Sequence, residues 1–358
     1  MKILHLPTDV GGNGYYLSLG EKKIGLDSTV LVYKSSKYNF PNDIDLHLEK
    51  YHWSIQEIKK LKAFLTYGKK YDIFVFNFGT SFINPRFLGF LYGIDLPFLR
   101  TLGKKIVVFY QGCDARQKDF STANFEISSC GEPSHYGEPC SNCNSKTDAF
   151  KRKQIRWFSR FAHKVFTVNP DLMYVLPKAE FIPYAGNDFT KIVPNFPDTK
   201  SKKVTILHAP TSRRIKGSYY ILPILEKLSK KFPFVEVLLA ESVPQQVMWS
   251  YYYQKADIYI DQVLMGWYGR AAVHAMTMGT PTVCYIREKD LSFLPSSLVK
   301  DLPIINATKY NLYDVLVELI HNKEKLREIG KKSRAYVEKY HDPVKIAKKM
   351  KKAYESLL

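Results

Sequence analysis

Short apolar runs alternate with stretches of helical periodicity along this chain, and that alternation predicts its class. Ile3-Leu4-His5-Leu6 reads as a strand, Thr8-Asp9-Val10-Gly11-Gly12-Asn13-Gly14 as the loop after it, and residues 15–23 as a helix. Thr29 to Tyr33 is the next strand. Ile55, Ile58, Leu61 and Leu65 recur at helical spacing and predict a helix over 54–67. Strands follow at Ile73-Phe74-Val75-Phe76 and from Lys105 to Tyr110. A strand–helix–strand order implies a parallel sheet covered by helices, since parallel strands need a crossover connection.

The rhythm stops between 111 and 148, a polar, turn-rich stretch holding Gly112, Cys113, Asp114, Arg116, Cys130, His135, Cys140 and Cys143. A segment of that length inside a compact domain needs its own source of order. Cys140-x-x-Cys143 supplies half of a metal knuckle, and Cys113 with Cys130 would complete the four thiolates that tetrahedral zinc prefers. His135 could replace one cysteine. The competing reading is a flexible lid with reduced, unliganded thiols. A zinc with four ligands would be structural, because no position is left for water.

Residues 149–163 form a basic amphipathic segment ahead of a strand from Lys164 to Val168. Residues 184–203 lose periodicity and read as a link. The second half opens with the strand Val204-Thr205-Ile206-Leu207-His208, which runs into a loop carrying Arg213, Lys216 and Gly217 and then a helix through Leu228. Two cations on a strand-to-helix loop suit a diphosphate, and surface charge is the alternative. Val235 to Ala240 is a strand, and a helix is expected over 244–256. Asp257 to Gln262 is a strand ending in polar residues, Gly266-Trp267-Tyr268-Gly269 a loop, and the small-residue segment that follows a helix broken by Gly279-Thr280-Pro281. A helix starting at the carboxyl end of a parallel strand directs its positive end at an anion. Gly11 to Gly14 makes a similar turn, but without dinucleotide spacing or a Walker lysine, so phosphate contact and a plain tight turn both stand. Further helices are expected at 311–321, 323–340 and 343–356.

Length adds one point: 358 residues favour two domains. Charge adds another. The formal net charge of +19 suits a polyanion, an anionic membrane face or a phosphorylated substrate. Residues 321–358 alone hold 12 Lys or Arg against 5 Asp or Glu. No recognised nucleic-acid module accompanies the charge, which argues against a nucleic-acid partner. No run of apolar residues is long enough to span a membrane. The segment from Met1 to Pro7 is too short and interrupted for a signal peptide, so the expected location is cytoplasmic, with the basic segments offering contact to the inner face of a membrane.

Two pieces carry a family resemblance: His208-Ala209-Pro210-Thr211 with Arg213, Lys216 and Gly217, and Ile260-Asp261-Gln262 with Gly266 to Gly269 and Ala275 to Pro281. With the two α/β halves, they resemble the GT-B glycosyltransferases, nearest the GT4-like retaining group and its polysaccharide-synthesis members. The resemblance covers nearly the whole chain. It implies an α/β fold of GT-B architecture, with two facing Rossmann-like domains and a C-terminal helix returning to the first. The boundaries are then 1–195 for an acceptor-side domain with a Cys-rich insertion at 111–148, 196–340 for a donor domain and 341–358 for the return helix. It also implies transfer of a hexosyl or related sugar from a nucleotide-diphosphate sugar to a glycan or lipid-linked acceptor, with retained configuration and no catalytic divalent metal. Arg213 and Lys216 match the pair that binds donor phosphates, Asp114 lies on a cleft-facing loop, and these three are the candidate catalytic residues. Gly12, Asn13, Gly14, Asp261, Tyr268, Gly269 and His274 join Arg213 and Lys216 as candidate donor contacts.

The chain departs from that family at three positions. Two glutamates with seven residues between them are expected, and Gly266 and His274 stand in their places. Gln111 stands where many relatives carry a histidine. A non-catalytic GT-B binding or scaffold subunit is therefore the alternative function, and a zinc-dependent nucleic-acid protein a weaker third.

Overall fold

The computed structural model describes residues 1–36, 38–85, 91–131 and 144–358. In chain order its elements begin with β1 (Lys2–Leu6), α1 (Asn13–Lys23), β2 (Asp27–Val32), β3 (Ile44–Asp45), α2 (Trp53–Gly68), β4 (Ile73–Asn77), α3 (Asp95–Thr101) and β5 (Lys105–Tyr110). Next come α4 (Lys118–Asn124), α5 (Ser145–Phe161), β6 (Lys164–Thr167), β7 (Ala179–Phe181), β8 (Val204–His208), α6 (Arg213–Lys216), α7 (Ser218–Lys231) and β9 (Val235–Leu239). The short α8 (Gln245–Val247) and α9 (Tyr253–Lys255) flank a π-helical turn at Met248–Tyr252. The chain ends with β10 (Ile258–Ile260), α10 (Arg270–Met278), β11 (Thr282–Cys284), α11 (Ser296–Lys300), β12 (Ile305–Asn306), α12 (Leu312–Ile320), α13 (Lys323–Tyr340) and α14 (Pro343–Glu355).

These elements form two compact units. The first comprises Met1–Arg116, Ser145–Ala185 and Pro343–Leu358, the second Gln117–Asn144 and Gly186–Asp342. Among the described residues the first unit holds a seven-stranded parallel sheet in the order β3-β2-β1-β4-β5-β6-β7. The second holds a five-stranded parallel sheet in the order β12-β11-β10-β8-β9. Both are Rossmann-like. Their central strands are mainly apolar because helices cover both faces, and every residue of β4 and β8 is buried. Each unit has its own core. Leu4, Phe74, Phe76, Ile106, Val108 and Phe158 anchor the first, and Ile206, Ile221, Leu225, Ile260, Val283 and Leu316 the second.

The strand orders fix where ligands can approach. In an open parallel sheet, successive connections reverse direction at one crevice, and the carboxyl ends of the strands open there. In the first unit that point lies between β1 and β4, and in the second between β8 and β10.

The helix α14 belongs to the first unit, where it packs on α1. The approach is close: a Cβ added at Gly20 would lie 2.1 Å from the Pro343 carbonyl oxygen. A buried polar network then latches the helix. The Tyr354 hydroxyl donates to Glu21 Oε1 at 2.9 Å, while Glu21 Oε2 accepts from Ser28 Oγ at 2.6 Å and lies 2.8 Å from His5 Nε2. Glu21 is entirely shielded from water, so each of these partners offsets part of its desolvation.

The helix α2 departs from the usual pattern. An apolar stripe on a helix ordinarily faces the core. Here Ile55, Ile58, Leu61 and Leu65 face solvent, while Lys60, Ala63, Phe64 and Gly68 are buried. Lys60 can occupy the inner face because its ammonium finds partners there: Glu57 Oε1 at 3.0 Å, Asn84 Oδ1 at 3.1 Å and the face of Tyr33.

Two expectations follow. Tyr354→Phe leaves one Glu21 oxygen buried without its donor and should lower unfolding free energy by about 1–3 kcal/mol. Gly20→Val should go further and release α14, read as loss of amide-exchange protection confined to residues 343–355 and α1. In the second unit, His208 bridges Ile260 O at 2.9 Å and Ser218 Oγ at 2.8 Å, and burial pushes its pKa down to about 4. The folded ring stays neutral while the unfolded one takes up a proton below about 6.5, so stability falls as pH drops from there toward 4. The loss should approach about 3 kcal/mol. Urea titrations across that window should show the slope diminished in His208→Gln; an unchanged slope would remove His208 from this account.

Candidate functional site

In the second unit, the end of β8 turns through Ser212, whose hydroxyl caps α6 by accepting from the Ile215 amide. That turn directs Lys216 inward. Its ammonium reaches Asp261 Oδ1 at 2.5 Å, with the lysine nearly and the aspartate fully buried. Asp261 follows β10 directly, and its other oxygen, Oδ2, accepts from the Gly269 amide at 2.6 Å. Gly269 is the N-cap of α10. One carboxylate thus ties together the β8 loop, the end of β10 and the start of α10.

Arg213 stands apart from this cluster. Its Nε and Nη2 donate to the two Glu241 oxygens at 2.7 and 2.6 Å, and the pair is solvent-exposed. The arginine holds the Glu241 carboxyl below its ordinary pKa. Both cations therefore carry a carboxylate, and the Lys216 ammonium has further N–H groups beyond the one directed at Asp261. An ammonium has three N–H groups and a guanidinium five.

His274 lies one turn into α10. Its ring sits 5.2 Å from Trp249 and edge-on to Tyr253, both contributed by the segment around the π-helical turn. Its Nε2 is buried and has no hydrogen-bond partner among the described residues. Burial, reinforced by the Arg270 guanidinium, pushes its pKa well below the usual value, so the ring is neutral. Such a ring offers one donor and one acceptor. Tyr268 is committed elsewhere: its hydroxyl lies 2.9 Å from both Tyr336 Oη and His341 Nε2.

Gly266 explains the absence of an acid at its position. It adopts φ +80°, and a Cβ there would lie 2.7 Å from the Arg287 guanidinium. Arg287 is itself held: Nη1 donates to Asp290 Oδ2 at 2.8 Å, Nη2 donates to Ile127 O at 3.0 Å, and the guanidinium covers the Phe125 ring at 3.7 Å. The place that a glutamate side chain would take is filled by a cation and the segment after α4.

In the first unit, the loop after β1 is stapled by Asp9. Its carboxylate accepts from the Gly14 amide at 2.8 Å and the Tyr15 amide at 3.3 Å. An internal anion thus already occupies the start of α1, where Gly12 is the N-cap. Asn13 Oδ1 accepts from the Ala185 amide at 3.0 Å. Asp114 takes backbone amides from Gln111, Gly112 and Ala115, and burial still pushes its pKa up to about 6. Arg116 makes a buried two-pronged pair with Asp171.

Sequence reasoning missed Asn77 and Tyr110, which end β4 and β5. Asn77 Nδ2, Tyr110 Oη and both amide atoms of Gln111 are buried without hydrogen-bond partners among the described residues. Buried polar groups are nearly always satisfied, so such a group at a strand terminus points to a ligand or water. An asparagine closing the apolar run of β4 was the available signal. Arg287, Trp249 and Tyr253 had none, since their roles arise from distant segments. Of the candidate zinc ligands, Cys113 belongs to the first unit and Cys130 to the second, while Cys140, Cys143 and the alternative ligand His135 lie outside the described residues. Among the described residues no cluster of three His, Cys, Asp or Glu is arranged to hold a metal.

No protein-family model matches this chain, and no curated protein matches it in sequence. Solved structures match along its full length. Sucrose-phosphate synthase from Thermosynechococcus elongatus superposes with a TM-score of 0.65 at 14% identity, covering 100% of this chain and 99% of that one. Anabaena HepE in complex with UDP-glucose gives 0.59 at 13% identity over 99% and 100%. S. aureus MnaA bound to UDP gives 0.54 at 14% over 100% and 98%. At these identities the likeness is one of fold: the chain has the two-domain, Rossmann-like GT-B architecture that these structures share.

Proposed function

We propose that this chain is a retaining glycosyltransferase that moves a sugar from a nucleotide-diphosphate sugar to a glycan or lipid-linked acceptor. The observation that carries the reading is the buried, neutral His274. Its Nε2 lacks a hydrogen-bond partner among the described residues, and it lies on the helix that Asp261 ties to Lys216 at the switch point of the second sheet. The fold is shared with structures solved with UDP and UDP-glucose, which supports the same donor class.

In this reading the donor diphosphate lies at the start of α10. Lys216 keeps one N–H on Asp261 and turns the others to phosphate oxygens, so the buried pair orients the ammonium without being broken. Arg213, at the exposed rim, adds a second cation. Both stabilise the charge that develops as the phosphate leaves. The neutral His274 supplies one hydrogen bond to a donor hydroxyl and stays uncharged beside Arg270. The first unit is the acceptor-side domain of this reading: Asn77 and Gln111 there hold polar atoms without hydrogen-bond partners among the described residues, and Asp114 braces the loop that carries Gln111. The acceptor hydroxyl bonds to the anomeric carbon from the face where the carbon–phosphate-oxygen bond breaks, its proton passing to the departing phosphate oxygen, and configuration is retained. A structural zinc held by Cys113, Cys130, Cys140 and Cys143 remains part of the proposal, tested by metal analysis of freshly purified, reduced protein.

One observation favours a second reading, a GT-B subunit that binds without catalysis: the Arg287 guanidinium fills the space where the first family glutamate would stand. The two readings part on turnover. Arg213→Ala, at an exposed site, should leave folding intact and cut sugar transfer about a hundredfold, because a phosphate-neutralising contact made in the transition state is worth about 2.7–4 kcal/mol. His274→Phe keeps the ring packing and should weaken nucleotide-sugar binding about tenfold, measured by calorimetry or saturation-transfer NMR. Normal affinity in His274→Phe would defeat the donor-site reading, whereas donor binding with no transfer to any acceptor would establish the scaffold. Gly266→Glu should not restore a family-like site. The backbone conformation and Arg287 both oppose it, and a stability loss of about 1–3 kcal/mol is expected in thermal unfolding.

A further inference from the structure

The outward stripe of α2 is unaccounted for by any role in catalysis or folding. Ile58 and Leu65 are 66% and 60% exposed, with Ile55 and Leu61 between and beside them. The neighbouring α3 repeats the pattern. Ile94, Phe98 and Leu102 recur at every fourth position, and all three are exposed. Phe98 packs edge-on against Phe64 of α2 at 5.5 Å, and Lys104, just past α3, donates to Lys69 O at the end of α2 at 3.1 Å. The two stripes therefore lie on adjoining helices of one unit. Large apolar groups grouped in this way mark a contact surface, unlike single exposed leucines.

The charge around the stripes selects the occupant. Lys62, Lys69, Lys70 and Arg100 are exposed on or beside these helices. The acidic residues within α2 and α3 are Glu57 and Asp95. Glu57 is paired with Lys60, and Asp95 is wholly buried, accepting from Ser81 Oγ and the Phe82 amide. Among the described residues of α2 and α3 the face thus presents apolar side chains and cations, with both acids paired or buried, and Asp72 beyond α2 is held by the Lys2 amide. A second copy docked through the same face would set these cations against each other, since a two-fold interface matches a patch to itself. An anionic bilayer satisfies both components: aliphatic groups enter the acyl boundary and lysines meet the headgroups. No described helix is long and apolar enough to cross a membrane, so the contact would be peripheral.

We propose that the α2–α3 face is a docking surface for anionic lipid bilayers. The inference stands apart from the glycosyltransferase reading, because it involves none of the candidate site residues and its assay needs no nucleotide. The test is sedimentation of the full chain with phosphatidylcholine vesicles, with and without about 30% phosphatidylglycerol. Binding is expected only with the anionic lipid, and it should fall in high salt. Ile58→Ser with Leu65→Ser should reduce the partition coefficient about tenfold or more without changing the thermal midpoint or nucleotide-sugar binding. Lys62→Gln with Lys69→Gln should weaken binding severalfold and lessen its salt dependence. Failure of the wild-type chain to bind anionic vesicles overturns the proposal, as does undiminished binding by Ile58→Ser/Leu65→Ser. A wild-type dimer that this double variant dissociates, with no vesicle binding, would instead assign the face to a second copy.

Discussion

The carboxylate of Asp261 is the constraint on which the second unit's chemistry depends. A buried anion is tolerable only when its partners replace the water it has lost. Asp261 finds them in the Lys216 ammonium and the Gly269 amide, and those partners come from separate loops. Satisfying one charge therefore fixes the turn after β8, the end of β10 and the start of α10 relative to each other. His274 takes its position from the last of these, and the Trp249 and Tyr253 rings close around it. The cluster is a scaffold before it is a ligand site, and the same bonds that order it hold Lys216 with donors to spare.

The first unit solves a similar problem with Glu21. There the buried carboxylate gathers His5 from β1, Ser28 from β2 and Tyr354 from α14, so the last helix joins the sheet it covers. Asp9 and Asp114 repeat the device on a smaller scale, each collecting backbone amides at a strand end. The loop after β1 looks like a phosphate cradle by composition, yet its amides serve Asp9. Its glycines shape a turn whose anion is built in. Among the described residues, Asn77, Tyr110 and Gln111, at the ends of β4 and β5, hold buried polar atoms without hydrogen-bond partners.

Much of the fold was legible because parallel strands buried on both faces leave an unmistakable trace. Ile73 to Phe76 hold no polar residue and Val204 to Leu207 only Thr205, and the segments between them carry helical spacing. The outward stripe of α2 shows where this reasoning fails. Periodicity reveals that a helix has an apolar side without saying which way that side faces. Lys60, which composition assigns to solvent, lies inward because Glu57, Asn84 and Tyr33 surround its ammonium. The candidate site was legible in part for a related reason. Lys216, Asp261 and Gly269 stand on the segments that follow β8 and β10, where turn chemistry is local. The commitment of Tyr268 to α13 and of Arg213 to Glu241 depended on partners far along the chain.

By itself the sequence determined the alternation of strands and helices, the parallel sheets and the loops at their carboxyl ends, because hydrophobic spacing and turn chemistry act over a few residues. Only the tertiary structure decided which charged groups meet. It placed Arg287 against Gly266, where no acid could fit, and left His274 buried with a nitrogen unsatisfied among the described residues. It also turned an apolar helix face to solvent. Each outcome rests on groups distant in sequence competing for the same space or the same hydrogen bonds, and local pattern carries no record of that competition.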